Sequence, residues 1–303
     1  MKVRFWGTRG SIPTPGPSTL KYGGNTSCVE VRTENGTLII LDCGSGIREL
    51  GRELLSAPQR DRDIRGHILL SHTHWDHIQG FPFFMPAFMP GHKFDIYAAA
   101  DIDKKLADVL AGQMEYEYFP VTLDRMESRI QFNELREGTF EIDDVRVKVQ
   151  YLNHTSLCLG YRLEADGKVL CYCTDIEPNS RLLLRSDFQR APHEDFEAAC
   201  AAIIHAEDRR YARFIHGADL LIHDAMYTEA EYRSKVGWGH STDAFSTQIA
   251  LLGAVKTLAL YHHEPVHDDA KLDEMTASCN QMVRELGAGL RVLGASEGLS
   301  LTL

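Results

Sequence analysis

Ser71-His72-Thr73-His74-Trp75-Asp76-His77 follows directly on the apolar run Ile68, Leu69 and Leu70. A buried strand that stops abruptly in polar side chains delivers them to the carboxyl edge of a sheet, where ligand sites commonly form. Four potential metal donors, His72, His74, Asp76 and His77, fall within this one stretch. Helical spacing would spread them around a cylinder, and a straight strand would send alternate residues to one face. A tight loop at a strand end is expected to aim all four at adjacent ions. Imidazole and carboxylate donors suit zinc, and also manganese or iron.

Working outward, Lys2–Trp6, 27–32 and 38–41 read as strands, with Asn35-Gly36 as a hairpin turn. The glycines and prolines between residues 7 and 24 specify a long irregular loop. A helix is expected over 47–55, another over 101–115, and strands around 145–149, 157–163 and 168–173, the last pair joined by the turn Asp166-Gly167. Residues 179–215 read as a mainly helical insertion, available as a lid, an exosite or a homodimer contact. The Phe-, Met- and Pro-rich segment 81–89 reads as core beneath the site, a pocket wall or a subunit contact. Further on, 220–222 and 257–261 are strands and 242–253 a helix. Asp268 caps a final helix whose Leu272, Met275, Cys279, Met282 and Leu286 make a core-facing stripe. Strands, a polar strand end and then helices occur twice without a linker, so one domain of two similar halves is expected: two sheets between outer helices.

Composition narrows the function. The chain has 303 residues, 44% of them hydrophobic, enough for a large core. With 32 basic against 43 acidic residues the formal charge is -11. That argues against a bulk electrostatic grip on large nucleic acid and favours a small-molecule substrate, although Arg209, Arg210 and Arg213 form a local basic cluster. Seven cysteines without disulfide spacing read as buried thiols in a reducing compartment. The first residues alternate like a strand instead of forming a signal-peptide core, and no run approaches the ~20 apolar residues that span a bilayer. A cytoplasmic protein without membrane contact is expected.

The stretch 71–77 resembles the HxHxDH signature of the metallo-β-lactamase superfamily, which implies an αββα four-layer sandwich. The resemblance implies two divalent ions, zinc foremost. His72, His74 and His154 would hold one, Asp76, His77 and His262 the other, and Asp175 would bridge them. It rests on Asn153-His154-Thr155, Cys173-Thr174-Asp175 and Leu258-Ala259-Leu260-Tyr261-His262, with the adjacent His263 as the reserve ligand. Asp175 also has a physical rationale, since one carboxylate can touch two cations and offset their repulsion. Asp42, after four apolar residues, is read as a buried acceptor that orients a ligand histidine, or else as a cap.

Within the superfamily, Gly7-Thr8-Arg9-Gly10-Ser11-Ile12-Pro13, Gly24-Asn25-Thr26-Ser27 and Gly239-His240-Ser241-Thr242 are similar to the phosphodiesterase branch, which includes ribonuclease Z and cyclic phosphodiesterases. That branch carries an acidic residue where this chain has Asp224. The resemblance implies a hydrolase in which metal-bound hydroxide attacks phosphorus, with Asp76, His240 and Asp224 as catalytic residues. His240 would serve as proton source or phosphoryl ligand with its tautomer set by Asp224; the alternative is that His240 merely precedes a helix cap. No basic arm for gripping tRNA lies between His77 and His154. A small or cyclic phosphodiester is therefore the expected substrate, with a lactone or thioester on the same metals, or a sensor or scaffold without turnover, as alternatives.

Overall fold

The computed structural model describes residues 1–56, 63–101, 104–179 and 206–303. The first sheet contains β1 (Lys2–Gly7), β2 (Cys28–Arg32), β3 (Leu38–Leu41), β4 (Arg65–Leu69), β5 (Lys93–Ala99) and β6 (Arg129–Leu135) side by side. The second holds β7 (Gly138–Ile142), β8 (Val145–Leu152), β9 (Cys158–Ala165), β10 (Lys168–Cys173), β11 (Leu220–Asp224), β12 (Thr257–Tyr261) and β13 (Arg291–Gly294), again in spatial sequence. The last strand, β14 (Ser300–Thr302), returns to pair with β1.

Each sheet has an antiparallel part and a parallel part. Pairing is antiparallel from β1 to β3 and from β7 to β10, then parallel from β3 to β6 and from β10 to β13. Strand alternation builds the layers. Ile39 and Leu41 face the second sheet and meet Val147, Leu159, Tyr161 and Tyr172, whereas Leu38 and Ile40 face outward. The outward set packs on the helix Ile47–Leu55 through Ile47, Leu50 and Leu54. On the other side, Cys171, Leu221 and Leu258 pack against Phe214, Phe245, Ile249 and Cys279 of three helices, Ala206–Ile215, Asp243–Leu252 and Asp269–Glu285. Burying each such large apolar side chain contributes roughly 1.5–3 kcal/mol before entropy is charged against it. The result is the four-layer αββα sandwich implied by the sequence.

Several local expectations are corrected. The helix read over 101–115 is shorter, Leu106–Gly112. The metal stretch is not loop throughout: Trp75–Ile78 forms one helical turn after His74, so Asp76 and His77 enter from a helix while His72 and His74 come from the preceding loop. The segment 81–89 divides residue by residue, with Phe81, Phe84 and Ala87 buried and Phe83 and Met85 about half exposed. Of the insertion expected at 179–215, residues 180–205 lie outside the described residues, and Ala206–Ile215 is helical. Within that helix Arg210 is engaged by Glu137 and Glu207.

Candidate metal centre

The donors meet where strands of both sheets end. Asp42 follows β3, residues 71–77 follow β4, His154 follows β8, Asp175 follows β10, Asp224 ends β11 and His262 follows β12. Asp42, Asp175 and His262 all have positive φ, at 62°, 54° and 58°, as does Ser11 at 61°. Left-handed backbone at residues other than glycine costs about 1–3 kcal/mol each and persists where surrounding structure enforces it. At Asp42, Asp175 and His262 it turns the side chain off the end of its strand and toward the site.

Two donor groups result, His72 with His74, His154 and Asp175, and Asp76 with His77, Asp175 and His262, all donor atoms within each group lying within 4.8 Å of one another. In the first, His74 Nδ1 is 3.2 Å from His154 Nε2. His72 Nε2 and His154 Nε2 lie 3.6 and 3.7 Å from Asp175 Oδ2. In the second, His77 Nε2 and His262 Nε2 each lie 3.2 Å from Asp175 Oδ1, and 3.3 Å from one another. Asp76 Oδ2 is 3.0 Å from His262 Nε2 and 3.2 Å from His77 Nε2. Asp175 thus presents one oxygen to each group. A tetrahedral ion with arms of about 2.0–2.1 Å has donor–donor edges of about 3.3–3.4 Å. Both groups match that spacing closely enough to support a binuclear divalent metal site.

The tautomers agree. His77 Nδ1 donates to Asp42 Oδ2 at 2.7 Å, and His154 Nδ1 to the Gly239 carbonyl at 2.8 Å. The Ser71 hydroxyl donates to Asp42 at 2.8 Å, which leaves it to accept from His72 Nδ1 at 3.0 Å. Each ring therefore turns a bare Nε2 inward, and His72 Nε2 is buried without any hydrogen-bond partner. An orphaned buried nitrogen is costly unless a cation accepts its lone pair. Burial, reinforced by neighbouring imidazoles, pushes His72 and His74 below the ordinary histidine range, and burial does the same to His154. Burial also opposes protonation of His77, but Asp76, Asp175 and Asp42 outweigh it and drive that ring up, a measure of the negative field a cation would meet.

Asp42 is the buried acceptor expected from its place after β3. It takes the Ser71 backbone N–H at 2.6 Å, the Ser71 hydroxyl, His77 and the Tyr172 hydroxyl at 2.6 Å. His263 turns away, donating from Nε2 to the Ala295 carbonyl at 2.8 Å, and burial pulls its pKa down to about 3. His262, not His263, reaches the donor groups.

His240 lies beside both donor groups and is buried. Its Nδ1 donates to Asp224 Oδ2 at 2.8 Å, and its ring is stacked on that of His262 at 5.0 Å and lies 5.4 Å from that of His154. Burial lowers its proton affinity, yet the Asp224 carboxylate more than compensates and the pKa rises to about 9. Thr242 caps the following helix through its own hydroxyl, as the alternative reading of this stretch expects.

Some contributors were not singled out as site residues from the sequence. Ser11 donates its backbone N–H to Asp76 Oδ2 at 2.7 Å. Glu177 accepts the N–H groups of Gly237 and Gly239 at 2.6 and 2.9 Å and the Tyr232 hydroxyl at 2.6 Å.

Residues 37–188 match the family model described as the beta-lactamase superfamily domain. Ribonuclease Z of Synechococcus sp. (strain CC9311) is 26% identical over 290 residues, 88% of each chain. The crystal structure of the short form of human tRNase Z superposes with a TM-score of 0.63 at 20% identity, covering 100% of this chain and 99% of its own, and a diphosphatase of the PhnP family with 0.63 at 19%, covering 100% and 97%. Six described cysteines are buried, and no helix among the described residues is long and apolar enough to cross a membrane. With the matched family model spanning half the chain and the paired donor groups in place, the chain belongs to the metallo-β-lactamase superfamily.

Proposed function

We propose that this metal-dependent hydrolase is a phosphodiesterase acting on a small or cyclic phosphodiester, with zinc in both sites. His72, His74, His154 and Asp175 Oδ2 would hold one ion, and Asp76, His77, His262 and Asp175 Oδ1 the other. Two such ions supply Lewis acidity, making water more acidic and offsetting charge on phosphoryl oxygens. Asp76, its Oδ2 fixed by the Ser11 N–H, orients the attacking water. His240 hydrogen-bonds a phosphoryl oxygen or gives the leaving alcohol its proton, and Asp224 holds the ring in place and balances its charge.

The observation that carries this reading is the position of His240 across both donor groups, anchored by Asp224. A poor alkoxide leaving group beside two non-bridging oxygens uses a hydrogen-bond donor there. A thioester, whose thiolate leaves unaided, does not. The ribonuclease Z relatives act on RNA by name, but a formal charge of -11 favours a small substrate here. Turnover of bis(p-nitrophenyl) phosphate, a cyclic nucleotide, an acyl-homoserine lactone and a glutathione thioester, with metal content measured on the same preparation, tests the proposal. Preference for the phosphodiesters supports it. Preference for the lactone or thioester replaces it, and a fully metallated protein inert across the panel points to a sensor or scaffold.

A further inference from the structure

The chain has three tryptophans. Trp6 is buried in the core, while the two exposed ones both lie beside site groups: Trp75 between His74 and Asp76, and Trp238 next to Gly239. Trp238 is 56% exposed, yet its loop is tightly held. Gly237 and Gly239 flank it with φ of 85° and 87°, and both donate their N–H groups to the buried Glu177 carboxylate. The Gly239 carbonyl fixes His154. Lys235 places its Nζ 3.9 Å from the indole centroid and 5.9 Å from that of Tyr227, whose ring meets His240 edge-on at 6.0 Å.

A large apolar side chain held this firmly in water has no folding benefit of its own. Its rigidity instead lowers the entropy lost on gripping a ligand. A flat ring one residue from a group that orients a metal donor, with an ammonium against it, matches a planar π-system joined to an anionic phosphate. We propose that Trp238 is a specificity residue that stacks on the nucleobase of a nucleotide substrate, with Glu177 as its positioning residue and Lys235 packed on the indole. This rests on the phosphodiester reading of the adjacent site and assigns it a nucleotide ligand.

Calorimetric titration of the full-length, zinc-loaded protein with AMP and with inorganic phosphate tests it by binding, independently of whether any ester is turned over. Trp238→Ala is expected to weaken AMP by about tenfold, the scale of one stacked base, while phosphate affinity stays within about twofold; Trp238→Phe retains most of the AMP affinity. AMP binding unchanged in Trp238→Ala, equal weakening of AMP and phosphate, or failure of the unmodified protein to bind AMP would each overturn the proposal.

Discussion

Asp42 Oδ2 lies 2.7 Å from His77 Nδ1, and both side chains are buried. The carboxylate fixes which imidazole nitrogen carries the proton and so aims Nε2 at Asp76, Asp175 and His262. Asp42→Asn keeps the shape but removes the charge that supports the ring. Metal affinity at this site is expected to fall about 10–100-fold, measured by chelator competition; affinity equal to the unmodified protein would show that Asp42 serves only the fold.

Two glycines make room for ligand rings. A Cβ at Gly10 would stand 2.4 Å from His262 Cε1, and one at Gly239 2.3 Å from His154 Nδ1, where φ is also 87°. Gly10→Ala should lose the ion of the Asp76, His77 and His262 group, and Gly239→Ala the ion of the His72, His74 and His154 group. Equilibrium dialysis would then count one tight ion in each variant; two in both would mean that the loops absorb the methyl group.

His240→Ala removes the donor anchored by Asp224 and keeps His72, His74, Asp76, His77, His154, Asp175 and His262. We expect kcat on bis(p-nitrophenyl) phosphate to fall about 10²–10⁴-fold with both ions retained, and Asp224→Asn to lower it by a smaller factor. Unchanged turnover would strip His240 of its catalytic role.

Asp243 opens the helix after Thr242, and burial, reinforced by Glu229 and Glu231 against the Ala244 N–H and Lys271, raises its pKa to about 7. Between the unfolded value near 4 and about 7 the folded state holds more protons than the unfolded chain, so this residue's effect on stability worsens as pH rises through that window and then levels off. Asp243→Asn, which still accepts the Ala244 N–H, should gain on the order of 2–3 kcal/mol over the unmodified protein at pH 8 and little at pH 4. Thermal melts at the two pH values decide it; an equal effect at both would place the carboxylate's contribution elsewhere.

Much of the architecture was legible because the signals are local. The short apolar runs at 38–41 and 257–261, the turn residues at 35–36 and 166–167, and the Asp268 cap each act within a few residues, and the structure forms those elements. The neighbouring strands β5 and β6 were not singled out, since their mixed polar sequences satisfy a parallel ladder formed only by distant pairing. At the site, the density of histidine and aspartate marked the donors. What the sequence left open, His262 against His263, is decided by backbone: the positive φ at His262 turns it inward and leaves His263 to the Ala295 carbonyl. Glu177 and Ser11 act through backbone N–H groups, which no side-chain pattern encodes.

The central claim is that Asp175 divides its two oxygens between two cations. Anomalous diffraction from crystals grown with zinc tests it most directly. The account predicts two peaks about 3.5–4 Å apart, one beside His72, His74 and His154 and the other beside Asp76, His77 and His262, with Asp175 between them. A single peak, or peaks that leave Asp175 without a metal contact, would contradict it.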